Sequence, residues 1–128
     1  MRVLLVDDKA SIRGAMKQIL EGLGLTNITE AVDGEEAWQK LNEKGSGSDG
    51  YEYELIVSDM EMPRMTGLEL LRAVRENDRI KHTPFIMATT VTAKNIILET
   101  MRLGVQAYII KPFDASIVEL KLRQAGVL

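Results

Sequence analysis

Apolar residues in this chain come in short unbroken runs separated by longer amphipathic stretches. Val3-Leu4-Leu5-Val6, Leu55-Ile56-Val57, Phe85-Ile86-Met87-Ala88 and Tyr108-Ile109-Ile110 show little apolar/polar alternation, the pattern of parallel strands covered on both faces. Asn27-Ile28-Thr29-Glu30-Ala31 alternates instead and predicts a half-covered strand at a sheet edge. Between the runs, Ile12, Met16, Ile19, Leu20 and Leu23 recur at the spacing of one helix face, and Gly24 follows as a left-handed stop. Asp33 with Glu36, and Thr66 with Glu69, have the spacing of reciprocal N-terminal caps and open a second and a third helix. A fourth helix is predicted from about Thr92 to Leu103, stopping at Gly104, and a fifth after Pro112 with Asp114 as its cap.

Repeated strand-helix units with short connections predict a doubly wound α/β fold, because right-handed crossovers set helices on both faces of a five-stranded parallel sheet. Gly45-Ser46-Gly47-Ser48-Asp49-Gly50 reads as a flexible loop before the third strand, not as a linker between domains. Residues 1–128 are therefore expected to form one domain. A formal net charge of −3 gives no basic footprint for nucleic acid. With no cysteine and His82 as the one histidine, thiolate and histidine-ligated metal sites fall away, and carboxylates must carry any chemistry. Asp7 and Asp8 interrupt the first apolar run too early for a signal peptide or a membrane span. A cytoplasmic monomer without membrane contact is the expectation.

In open α/β sheets the functional crevice lies beyond the carboxyl ends of the strands. There the chain carries Asp7-Asp8 after the first run, Ser58-Asp59 after the third, Thr89-Thr90 after the fourth and Lys111-Pro112 after the fifth. Taken singly, each reads as a turn, cap or strand-end residue. Together they set Asp7, Asp8 and Asp59, a lysine and hydroxyls at neighbouring strand ends. Carboxylates so crowded repel one another unless protonation, solvent or a cation offsets the repulsion. An all-oxygen set suits a hard octahedral ion such as Mg2+, whereas zinc would want nitrogen or sulfur. Lys111 adds a compact positive charge suited to a phosphoryl oxygen. The set points to phosphoryl transfer with Asp59 as the attacking group.

Val6-Asp7-Asp8, Ser58-Asp59-Met60-Glu61-Met62-Pro63, Gly67, Thr89 and Lys111-Pro112-Phe113 resemble the receiver domain of two-component response regulators, and single-domain chemotaxis regulators in particular. The likeness covers nearly the whole chain. It implies a flavodoxin-like (βα)5 fold with strand order 2-1-3-4-5. It also implies Asp59 as phosphoacceptor, Mg2+ held by Asp8, Asp59 and the Glu61 backbone carbonyl, and Asp7 acting through metal-bound water. Lys111 would clasp one phosphoryl oxygen, and the Thr89 hydroxyl would turn to another, supported by the Thr90 backbone N–H. Lys111-Pro112 would be a cis peptide. Tyr108 resembles an aromatic switch that moves inward with Thr89, and Lys94, Val105, Tyr108 and Lys121 would fall on or near a partner face. The implied donor is a sensor histidine kinase or a small acyl phosphate. The implied target is a downstream protein, with the flagellar motor switch or a phosphate-sink role as alternatives.

Glu61 and Val91 depart from the chemotaxis pattern, which has Asn and Glu in their places. Glu61 is expected to pair with Lys9 or Lys111 when no metal is bound and so to weaken Mg2+ binding. Trp38 reads as a packing residue and His82 as a loop residue. A phosphatase with an aspartate nucleophile remains an alternative, although that class wants Asp-x-Asp where this chain has Asp59-Met60-Glu61. A nucleotide-binding module would want small residues, not Asp7-Asp8-Lys9, after its first strand.

Overall fold

The unbroken apolar runs pair side by side. β1 (Arg2–Val6), β3 (Leu55–Ser58) and β4 (Phe85–Thr89) are buried along their whole length. With β2 (Asn27–Ala31) and β5 (Ala107–Ile110) they form a five-stranded sheet, all neighbours parallel, in the order β2-β1-β3-β4-β5. The structure, a computed structural model, describes residues 1–43 and 52–128. The Gly/Ser-rich segment 45–50, expected to be a loop, lies outside the described residues.

Because side chains alternate across a strand, each run supplies two cores. Val3, Leu5, Val57, Ile86 and Ile109 meet α1 (Ala10–Gly22) and α5 (Ala115–Gln124) through Met16, Leu20, Val118 and Leu122. Leu4, Val6, Ile56, Phe85 and Met87 meet α2 (Gly34–Asn42) and α3 (Gly67–Arg75) through Ala37, Leu41, Leu70, Leu71 and Val74. Ile96 of α4 (Lys94–Arg102) packs against this second layer, as does Trp38. Each fully buried Leu, Ile or Phe contributes about 1.5–3 kcal/mol, so these layers dominate the stability of the sandwich. Among the described residues no helix is long and apolar enough to cross a membrane.

The edges depart from the simplest reading. β2 is partly exposed, as its alternation predicts. β5 was expected to be covered on both faces, yet Ala107 and Ile109 are buried while Tyr108 is half-buried and Ile110 is 40% exposed. It is the other edge of the sheet, and one of its faces is left partly open.

Helix ends follow local chemistry. Thr66 and Glu69 form the full reciprocal cap of α3: the Glu69 N–H donates to Thr66 Oγ1 at 3.1 Å, and the Thr66 N–H to Glu69 Oε1 at 3.1 Å. Only half of the expected box forms at α2. The Glu36 N–H donates to Asp33 Oδ1 at 2.8 Å, but the Glu36 carboxylate accepts from the N–H of Val32, not Asp33. Asp114 caps α5 through the Ile117 N–H at 2.9 Å. Gly24, at φ +90, stops the chain after α1. α4 begins at Lys94, two residues after the expected start near Thr92, because Ala93 is extended (ψ 123) and serves as the N-cap.

Arg75, at the last turn of α3, braces the far end of the sheet. Its Nε donates to Leu103 O at 2.8 Å, Nη1 to Thr83 O at 2.8 Å and Lys81 O at 3.0 Å, and Nη2 to Gly104 O at 3.0 Å. Burial holds its guanidinium below the usual arginine range.

Two glycines separate space from backbone need. A Cβ on Gly67 would overlap the Asp59 carbonyl oxygen, whereas one on Gly14, inside α1, would meet nothing within 4 Å. Gly67→Ala should cost about 1–3 kcal/mol, and Gly14→Ala should add about 0.5–1 kcal/mol; denaturant titration of both variants checks the opposite signs.

Asp33 is 1% exposed. Burial works against its charge, but the Glu36 N–H and the Arg64 guanidinium outweigh that and hold the carboxyl below the usual range. A depressed folded-state value stabilises above the unfolded value, near 3.9, and loses that contribution as pH falls through the folded one. The melting-temperature gap between parent and Asp33→Asn should be widest near neutrality and close as pH falls below the ordinary carboxylate range; a gap independent of pH would contradict the charged state assigned to Asp33.

Candidate functional site

The parallel pairing of β1 with β3 and β3 with β4 brings their carboxyl ends to one rim. Asp7 continues β1: its N–H donates to Ala31 O at 3.1 Å, and its Oδ1 accepts the Lys9 N–H at 2.9 Å. Asp59 continues β3: its N–H donates to Val6 O at 2.9 Å, and its Oδ1 accepts the Met60 N–H at 2.7 Å. Backbone thus fixes one oxygen of each carboxylate. The other oxygens share an ammonium group, with Lys111 Nζ 2.8 Å from Asp7 Oδ2 and 3.5 Å from Asp59 Oδ2. Lys111 itself is anchored by its N–H to Thr89 O at 2.9 Å, and the Lys111-Pro112 peptide is cis, as the resemblance implies.

Asp7 and Asp59 are each 4% exposed, while Asp8 stands exposed at the rim. One carboxylate oxygen from each of the three lies within 4.8 Å of the others. Lys9 Nζ lies 3.9 Å from Asp8 with both side chains accessible, a pair worth little in water. A single buried ammonium among three carboxylates leaves excess negative charge, and the donors are hard oxygens. This set fits a hard divalent cation. Below the cluster there is little room: the cavity bounded by Asp7, Asp59, Lys111 and Phe113 measures only ≈10 Å3.

The hydroxyls and flanking groups surround this centre unevenly. Thr89, at the end of β4, is fully buried and its Oγ1 accepts the Val91 N–H at 3.2 Å; Thr90 is exposed. Tyr108 is half-buried and its hydroxyl donates to Val91 O at 2.8 Å. Burial pushes its phenol up, and the charges of Asp59 and Glu61 add to the effect, so Tyr108 remains a donor. Lys94 is exposed and Lys121 half-buried, but Val105 is buried against the core and presents little surface.

The expected pairing of Glu61 with Lys9 or Lys111 does not form. Lys111 is engaged by Asp7 and Asp59, Lys9 lies nearest Asp8, and Glu61 is exposed and forms no ion pair among the described residues. Glu61 and Val91 instead line one groove of ≈440 Å3, with Met60, Met62, Thr66, Leu68 and Ile96. His82 lies away from the cluster, beside Arg75 and Arg102.

Two contributors escaped the sequence reading. Arg13 Nη1 donates to the Asp7 carbonyl at 2.7 Å while its Nε donates to Glu30 Oε1 at 2.9 Å. The Arg13 hydrogen bond is the main cause that holds the Glu30 carboxyl below its usual range. Arg64, in the loop after Asp59, pairs with buried Asp33. The Arg13–Glu30 and Arg64–Asp33 contacts span distant segments, and nothing in local spacing announces them.

The response regulator receiver domain family matches residues 3–123. The chain is 40% identical over 124 residues to the chemotaxis protein CheY of Pseudomonas aeruginosa, covering 97% of this chain and 94% of that one. It is 36% identical over 122 residues to the chemotaxis protein CheY1 of Helicobacter pylori, with 95% and 94% coverage. Among solved structures, Vibrio cholerae CheY4 superposes with a TM-score of 0.82 at 33% identity, covering 97% of each chain. The bacteriophytochrome response regulator RtBRR superposes with a TM-score of 0.86 at 26% identity, covering 99% of this chain and 78% of that one. A parallel sheet in the order 2-1-3-4-5, an acidic cluster bridged by a lysine, and a family match across nearly all of its length together make this chain a member of the response regulator receiver domain family.

Proposed function

We propose that this receiver accepts a phosphoryl group on Asp59 and signals by phosphorylation-dependent binding to another protein. The observation that carries the reading is Lys111 Nζ set between the free oxygens of Asp7 and Asp59, beside exposed Asp8. Asp8, Asp59 and the Glu61 carbonyl would hold Mg2+, with Asp7 acting through water. When bound, Mg2+ would offset the carboxylate charge and draw negative charge from the transferring phosphoryl group.

The remaining work falls to the chain. An Asp59 carboxylate oxygen attacks phosphorus as the bond from phosphorus to the donor's leaving atom breaks, and the donor's phosphohistidine or acyl phosphate departs dephosphorylated. Lys111 is already beside the acceptor and turns its charge from Asp7 to a phosphoryl oxygen. The Thr89 hydroxyl accepts from Val91, so its own proton is free for another phosphoryl oxygen. The exposed Thr90 residue offers a backbone N–H at the same rim. A sensor histidine kinase is the fitting donor, and likeness to chemotaxis proteins favours a chemotaxis-type target.

Val91 supplies the path outward. Its N–H rests on Thr89 and its carbonyl on Tyr108. A Thr89 hydroxyl drawn to the phosphoryl group leaves the Val91 N–H without its acceptor, which favours a second arrangement of this loop and of Tyr108. Lys94, Tyr108 and Lys121 would present that change to a partner; Val105 would act from beneath the surface.

Incubation with Mg2+ and acetyl phosphate, followed by intact mass measurement, should add one phosphoryl group to the parent and none to Asp59→Asn. An unmodified parent would overturn the reading. Because Glu61 does not compete for the lysines, its carboxylate should favour the cation by its field alone. Glu61→Asn should weaken Mg2+ binding less than about fivefold, as suits an exposed charge, with the difference shrinking at high salt; titration at two ionic strengths checks both.

A further inference from the structure

The loop that follows Asp59 is held from the side by the start of α2. Asp33, the N-cap of that helix, is 1% exposed and keeps one carboxylate oxygen on the Glu36 N–H. Its other oxygen accepts from the Arg64 guanidinium, with Nε at 2.8 Å and a second contact from Nη2. The backbones are joined beside this pair: the Gly34 N–H donates to Met65 O at 3.2 Å, and a Cβ on Gly34 would overlap that same oxygen. Arg64 adopts φ 68, a left-handed conformation that costs a non-glycine residue about 1 kcal/mol or more. Glycine or asparagine would suit that backbone better. What arginine adds is a planar fork that can engage a buried carboxylate with two donors.

The consequence lies three residues upstream. The segment from Met60 to Met65 is short, and its far end is fixed by the Gly67 N–H on Met60 O at 2.8 Å. Within it sits Glu61, whose carbonyl belongs to the proposed cation site. We propose that the Arg64–Asp33 ion pair is a positioning latch: by seating this loop on the N-terminus of α2 it sets the Glu61 carbonyl and hence the affinity of the acidic cluster for Mg2+. The inference rests on the metal reading given above.

The sign of the effect separates a latch from a simple field. Arg64 is a cation, so its removal leaves the region more negative and, through space alone, tightens Mg2+ binding. Loss of a latch weakens it. Asp33→Asn is the complementary change, because asparagine caps a helix as well as aspartate does while the ion pair is gone.

Calorimetric Mg2+ titration of the parent, Arg64→Gln, Asp33→Asn and the double variant tests the idea, together with the metal-free melting temperature of each. The expected result is a three- to tenfold weaker dissociation constant for Arg64→Gln and for Asp33→Asn. The double variant should lose no more than the larger single loss, as for two halves of one interaction. Arg64→Lys should recover part of the affinity. Unchanged or tighter binding by Arg64→Gln, or losses that add in the double variant, would overturn the latch even if melting temperatures fall. Asp59→Asn serves as the control for the site: binding equal to the parent's would remove the metal reading itself, which is a separate failure from that of the latch.

Discussion

The structure is organised around an electrostatic imbalance that the sheet creates and cannot relieve. Parallel strands with common direction deliver Asp7, Asp59 and Lys111 to one end, and burial on both faces leaves little water to screen them. One ammonium group is bonded to one carboxylate and near a second, while exposed Asp8 has the accessible Lys9 beside it. On the proposed function, an incoming cation or phosphoryl group would compete for Lys111 and for the carboxylates, and local contacts would change with it.

The connecting loops carry tighter constraints than the strands. Gly67 lies against the Asp59 carbonyl and Gly34 against Met65, so the loop between Asp59 and α3 is closed in by backbone on two sides. Helix capping belongs to the same design. Thr66 and Asp33 satisfy helix N-termini while fixing where the chain enters α3 and α2. Val91 is held likewise by a buried hydroxyl and a tyrosine. Stability and chemistry are thus written into the same short segments.

Most of the fold was readable because its signals are local. Unbroken apolar runs, Gly24 and Gly104 at positive φ, and the caps at Thr66 and Asp114 each act within a few residues. The acidic cluster was also readable, since any open α/β sheet gathers its strand ends. What was missed depends on segments far apart in sequence. Arg13 with Glu30, Arg64 with Asp33, and Arg75 with the carbonyls near Leu103 are long-range contacts of flexible side chains. Glu61 was misassigned for a related reason: its candidate lysines already had nearer carboxylates. β5 was misjudged because periodicity reports apolar content, while edge position is a property of the assembled sheet.

The brace at Arg75 has a mechanical corollary. It grips the carbonyls of Leu103 and Gly104, just past the C-terminal end of α4, whereas Ala93, the N-cap at the opposite end, makes no side-chain cap hydrogen bond. Between those ends Ile96 packs against the core and Glu99 pairs with Arg72, so the helix is tethered along its length, most tightly at its base. A neighbouring molecule touching this helix would meet its least tethered end at exposed Lys94 and its most restrained end near Arg102.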